Sequence, residues 1–277
     1  MDAGTALRSA EVRARSGTAG RVTVWAARAG LTARGVIFLL VGVLATEVAL
    51  GDRPKQADSS GALAELAEQP FGGILLWALG IAMTGMTVWR LSEALFGSAG
   101  PDGRTARSRL LAVVRSVFYG CVAWSVLTFA AGSGGVRSSD DQSRDITARV
   151  LGVPAGQWLV GAAGVVIAVT GVWIGVQAVR RVYPEKLRTA EMSDRTRRFV
   201  DVTGIGGGLA RGVLFAAAGA FVVRAAVDFR PDRAKGVDDT LRSFAETPLG
   251  PWLLVTVAAG LALFGLFSFA AARWCRV

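Results

Sequence analysis

A chain of 277 residues that is 52% apolar and 19% charged, with a mean hydropathy of +0.44, is too apolar and too sparsely charged for an ordinary soluble domain. Its formal charge of +10 does not point to nucleic acid, because the excess sits beside long apolar runs, where basic residues set membrane orientation. With no histidine, and with cysteines only at Cys121 and Cys275, there is neither a Cys/His metal spacing nor a disulfide framework.

Residues 1–24 are small, polar and Arg-rich without apolar periodicity, which predicts a disordered basic arm on the cytoplasmic side. No cleavable signal is expected, since the first apolar run begins near residue 31 and is long enough to span. Six such runs follow, at about 31–50, 72–96, 110–131, 155–179, 204–227 and 250–272. Each is of the order of the 20 residues a helix needs to cross a hydrocarbon core ~30 Å thick.

The first run opens with Ala33-Arg34-Gly35-Val36-Ile37-Phe38. After it, Asp58-Ser59-Ser60-Gly61 precedes Leu63, Leu66 and Ala67 at helical spacing, which predicts a short interfacial helix capped by Ser or Asp. Pro70-Phe71-Gly72 then starts the second run, with the proline expected in the first helical turn.

The same order comes back twice. Val114-Arg115-Ser116-Val117-Phe118-Tyr119 leads to Pro154-Ala155-Gly156, and Ala210-Arg211-Gly212-Val213-Leu214-Phe215 leads to Pro248-Leu249-Gly250. Leu241 and Phe244 stand where Leu63 and Leu66 stand; Thr147 and Val150 take those places in the middle copy. The middle loop, with Asp140 and Asp141 flanked by Arg137 and Arg144, reads as solvated rather than metal-binding. This is an internal triplication: repeat 1 over 25–98, repeat 2 over 104–183 and repeat 3 over 196–277. The fold class is all-α integral membrane, six transmembrane helices as three parallel hairpin repeats, each with a short outer interfacial helix.

Rows of small residues along the spans, among them Gly204, Gly208 and Gly212, suit close helix packing in lipid. Gly204-Ile205-Gly206-Gly207-Gly208 follows no strand and lacks the final glycine of a dinucleotide loop. Lys and Arg number 16 in the N-terminal arm (to Arg28), the 97–109 and 181–203 loops and the C-terminal tail, against 9 in the other three loops. That asymmetry places both termini in the cytoplasm of a multi-pass protein of the cell inner (plasma) membrane.

The repeated Ala-Arg-Gly-Val with its aromatic follower, the Ala-Leu-x-x-Leu-Ala-Glu-Gln-Pro-Phe-Gly of residues 62–72 and the three two-span units resemble one bacterial family, the domain of unknown function 1206 membrane proteins. The resemblance covers about 25–275. Repeat 2 departs from it at Ser116 and in its longer, more polar loop over 136–153. It implies six spans in three repeats and brings no activity, cofactor or catalytic residue.

Two sets of charged residues occupy equivalent repeat positions. Arg34, Arg115 and Arg211 lie in the first turns of the odd-numbered spans; they read either as anchors snorkelling to phosphate or as a cationic ring contacting an anion or lipid headgroup. Thirteen residues on stand Glu47, Thr128 and Arg224, about 20 Å further along the helices. Glu47 and Arg224 read either as solvated, with Arg224 paired to Asp228, or as an inter-repeat polar pair. Arg90 and Glu93 form an ordinary intrahelical pair.

These residues supply no nucleophile with a base, no paired carboxylates at membrane depth and no nucleotide motif, so no enzyme is expected. The reading is a non-enzymatic structural, lipid-binding or partner-binding membrane component; the alternative is a transporter or channel for a small anionic solute enclosed by the repeats. Its expected partners are membrane lipids and other membrane proteins, not nucleic acid, and no cofactor or metal is expected.

Overall fold

The computed structural model describes residues 18–50, 56–97, 105–132, 138–181, 187, 191–245 and 250–274. They form nine α-helices in chain order. Repeat 1 holds α1 (Thr18–Leu50), α2 (Ser59–Glu68) and α3 (Gly72–Phe96). Repeat 2 holds α4 (Ala106–Ala130), α5 (Ser139–Leu151) and α6 (Gly156–Val179). Repeat 3 holds α7 (Asp194–Val227), α8 (Val237–Ala245) and α9 (Gly250–Trp274), with a 3₁₀ turn at Pro231–Arg233 before α8. Six helices are long and apolar enough to cross a membrane: α1, α3, α4, α6, α7 and α9. The short helices α2, α5 and α8 lie together at one end, here the cap face.

Each outgoing span packs on the return span of the preceding repeat: α1 on α9, α4 on α3 and α7 on α6. The Arg-Gly motif explains why. A Cβ on Gly35 would sit 3.1 Å from the carbonyl oxygen of Gly265, and one on Gly212 would sit 2.8 Å from that of Gly171. Backbone therefore meets backbone where the motif crosses, the close approach that drives helix association in lipid. Repeat 2 has Ser116 there, and its hydroxyl donates to the carbonyl of Thr87 on α3 at 3.2 Å. Within a repeat, α1 packs on α3 and α7 on α9, whereas among the described residues no comparable packing joins α4 to α6.

Three expectations change. The predicted arm, 1–24, lies outside the described residues up to residue 17, but residues 18–24 are helical. Likewise α7 begins at Asp194, inside the predicted 181–203 loop, with Ser193 capping it through Thr196 N. These extensions are stabilised by burial of Ala27, Leu31 and Val200 in a second core with Met86 and Trp89. Arg34 and Arg211 consequently stand near mid-helix, about 24 and 26 Å from the first residues of α1 and α7, and Arg115 lies in the third turn of α4, so none of the three is in a first turn.

The prolines also move. Pro70 and Pro154 precede the N-caps, which are Phe71 and Ala155 at φ 65° and 63°. Glycine must follow because the short helix folds back over that position. A Cβ on Gly72 would lie 2.2 Å from the carbonyl of Ala67, and one on Gly156 1.7 Å from that of Val150. The expectation for Pro248 falls outside the described residues.

Candidate functional site

Arg34 and Arg211 are brought together over aromatic rings, with Arg115 within electrostatic reach of both. Each arginine is followed four residues later by an aromatic on the same helical face: Phe38, Tyr119 and Phe215. The Arg34 guanidinium lies 5.1 Å from the ring centroid of Phe264 on α9, and that of Arg211 lies 5.0 Å from the same ring. Arg211 also faces Phe215 at 5.3 Å and Phe38 at 5.8 Å, while Phe38 meets Phe264 edge-on at 4.8 Å. Such stacking holds a guanidinium in an apolar bundle without neutralising it.

Arg34 Nε donates to the buried Ser268 Oγ at 3.1 Å, and a further hydrogen bond links Arg34 to Tyr119. Arg115, although exposed, lies within electrostatic reach of Arg34, Arg90, Glu93 and Tyr119, and of Arg211. The carboxylate in this neighbourhood, Glu93, is held by Arg90 at 2.6 Å as the sequence predicts. Arg211 Nε is buried with no hydrogen-bond partner among the described residues. The cluster is thus a site of excess positive charge with unused donor capacity.

Of the second set, Arg224 is exposed and lies 3.7 Å from Asp228 on the same helix. The aromatic at i+4 belongs to the repeated motif and marks this stacking locally; Phe264, Ser268 and Arg90 come from other helices and carry no local mark.

The cap face overturns another expectation. Asp140 lies in helix α5, buried, and not in a solvated loop. Its Oδ1 accepts the N–H groups of Gly236 and Asp239, at 2.7 and 3.2 Å, at the start of α8. Asp238 of α8 accepts from Ala57 N at 2.8 Å, just before α2. Asp58, the N-cap of α2, accepts from Ser60, Gly61 and, at 2.8 Å, Ser139 N at the start of α5. Each repeat therefore caps the next, and the chain of caps closes on itself from 1 to 2 to 3 to 1.

Oxygens of Asp140, Asp238 and Asp239 lie within 4.8 Å of one another, a spacing that suits a cation. Their lone pairs are already engaged by backbone N–H groups, by Arg242 on Asp238 at 2.7 Å and by Arg144 on Asp239. Burial, and then the Asp239 and Asp238 carboxylates, raise the Asp140 carboxyl to about 6.

A family model described as Domain of Unknown Function (DUF1206) matches three times, over residues 29–97, 111–181 and 206–274. An uncharacterized protein of Bacillus subtilis (strain 168), YxxB, is 32% identical over 243 residues, covering 87% of each chain. No solved structure matches.

Proposed function

Because the chain belongs to the DUF1206 family, whose description carries no activity, we propose a role from its own residues. It is a non-enzymatic, multi-pass component of the bacterial plasma membrane that binds an anionic lipid headgroup at Arg34, Arg115 and Arg211. The observation that carries this reading is the meeting of Arg34 and Arg211, from repeats 1 and 3, over the single ring of Phe264, with Glu93 already engaged by Arg90. Guanidinium groups gathered where water is scarce favour a multivalent anion, and planar forks match phosphate oxygens.

Several features support the rest of the reading. The chain has no histidine, and its spans offer no nucleophile–base pair, which favours binding over catalysis. The basic residues flanking the termini favour a cytoplasmic location for both. The cluster then belongs to the inner half of the bilayer, within reach of that leaflet's phosphates.

The test is lipid retention. Native mass spectrometry of the purified protein is expected to show a co-purifying anionic phospholipid that the Arg34→Gln/Arg115→Gln/Arg211→Gln variant loses. Unchanged retention in that variant overturns the reading. The placement of the cluster inside a repeat-built bundle favours a second reading, a carrier for a small anionic solute. Proteoliposomes that pass anions, and cease to in the triple variant, move the assignment there.

A further inference from the structure

The arginine cluster has spent its acceptors and kept its donors. Ser268 Oγ, fully buried, already accepts from Arg34 Nε and donates to the Phe264 carbonyl at 2.8 Å. Glu93 is held by Arg90. On the donor side, Arg211 Nε is buried without a partner among the described residues. The Tyr119 hydroxyl accepts from Arg34, and among the described residues nothing takes up its own proton.

These free donors stand close together. The Arg34 and Arg211 guanidiniums lie 5.1 and 5.0 Å from one ring centroid, so at most about 10 Å separates them. One anion can take a hydrogen bond from each. Tyr119 is within electrostatic reach of both. None of Arg34, Tyr119 and Arg211 is sealed in the core, and Arg115 beside them is exposed.

Charge and valence then choose among anions. Four guanidiniums, counting Arg90, face the one Glu93 carboxylate, a surplus of three positive charges. A phosphodiester brings one negative charge and two free oxygens. A phosphomonoester brings nearly two charges and three free oxygens. The further headgroup of a diester lipid also carries hydroxyl or ammonium donors. With Glu93 and Ser268 engaged, such donors find no free acceptor here, and burying them unpaired is costly.

We infer that the cluster selects a phosphomonoester over a phosphodiester, with Arg34 and Arg211 each on one oxygen and the Tyr119 hydroxyl donating to the third. The inference rests on the headgroup reading above and deepens it. Among lipids it names phosphatidic acid, whose phosphate carries no further group. Glycerol 3-phosphate offers the same oxygens in soluble form, and the test separates the two sources.

Purified protein is titrated with phosphatidic acid and phosphatidylglycerol of identical acyl chains, and bound lipid is read by native mass spectrometry. At about pH 7.5 phosphatidic acid is expected to bind several-fold more tightly. At about pH 5, where a monoester holds its second proton (pKa about 6), the ratio of the two affinities is expected to fall towards one. Tyr119→Phe keeps the ring and removes the hydroxyl. It is expected to cut the ratio several-fold while sparing phosphatidylglycerol. The pH comparison uses the wild-type protein, so a folding defect in the variant leaves it intact.

Equal affinities at pH 7.5, both lost in the triple arginine variant, keep the headgroup reading and overturn the monoester selection. A ratio indifferent to Tyr119→Phe or to pH also overturns it. Displacement of phosphatidic acid by equimolar glycerol 3-phosphate keeps the selection and overturns the lipid reading. Binding of both lipids that is unchanged in the triple variant overturns both.

Discussion

Asp140 Oδ1 accepts the backbone N–H of Gly236 across 2.7 Å, so a carboxylate of repeat 2 satisfies the first turn of the helix in repeat 3. With Asp58 onto Ser139 and Asp238 onto Ala57, this contact makes the cap face one cyclic device. Three helix N-termini converge there, each an assembly of unpaired donors and positive dipole, and carboxylates from neighbouring repeats are what allow them to meet.

Removing an acceptor from this device strands buried donors. Asp238→Ala leaves Ala57 N without its acceptor and Arg242 without its carboxylate, and is expected to lower stability by about 1–3 kcal/mol. Asp58→Ala, which strands three N–H groups, is expected to cost more. Thermal unfolding in detergent measures both; a wild-type midpoint for Asp58→Ala rejects the cap ring as a stabilising element.

The Asp140 carboxyl gives the device a pH dependence with a definite sign. Its value rises from 3.8 to about 6 on folding, so between roughly pH 4 and 6 the folded protein holds this proton and the unfolded chain does not. That contribution to stability is fully present below pH 4 and is lost as pH rises through 6. Asp140→Asn keeps an acceptor for Gly236 and Asp239 but cannot titrate. The wild-type midpoint, measured relative to Asp140→Asn, should therefore fall between pH 4 and 6 and level off above. A relative rise over that window contradicts the burial of this group.

Close helix approach predicts an uneven response to added volume. Gly212→Leu drives a side chain into the Gly171 carbonyl and the Gly175 backbone, each 2.8 Å from its first carbon, and is expected to cost about 1–3 kcal/mol or more. Gly73→Ala meets nothing within 4 Å and is expected to leave the midpoint unchanged. Equal loss in the two variants argues against the α6–α7 interface described here.

Ser116 tests how repeat 2 substitutes for the motif glycine. Its hydroxyl bonds the Thr87 carbonyl across the α3–α4 interface, and interhelical bonds of this kind contribute about 0.6 kcal/mol on average. Ser116→Ala should lose about that much, while Ser116→Thr, which restores the donor, should recover part of it. No difference between alanine and threonine would remove the hydroxyl from the account.

Much of this molecule is legible in its linear order. Apolar runs of spanning length, the threefold return of arginine, aromatic and Pro-x-Gly, and the Asp58 cap all depend on residues near one another in the chain, whose spacing carries the physical constraint. The convergence of Arg34, Arg115 and Arg211 is half legible. Equal phase puts them at one depth, and the aromatic four residues on puts a ring beside each. The meeting of Arg34 and Arg211 over one ring depends on Phe264, which lies 53 residues or more along the chain from either.

What the amino-acid order determined alone is therefore the unit: a hairpin of two spans with a capping helix, repeated three times, with its charges in register. The tertiary structure decided how the units share themselves out, each outgoing span leaning on the previous repeat's return span and each cap carboxylate serving the next repeat. It also decided that Asp140 is buried and that Arg224 turns to Asp228. The reason is that local spacing sets which face and depth a residue occupies. Which partner fills that face is settled by backbone approach between helices, as where Gly212 meets the carbonyl of Gly171 and Gly35 meets that of Gly265.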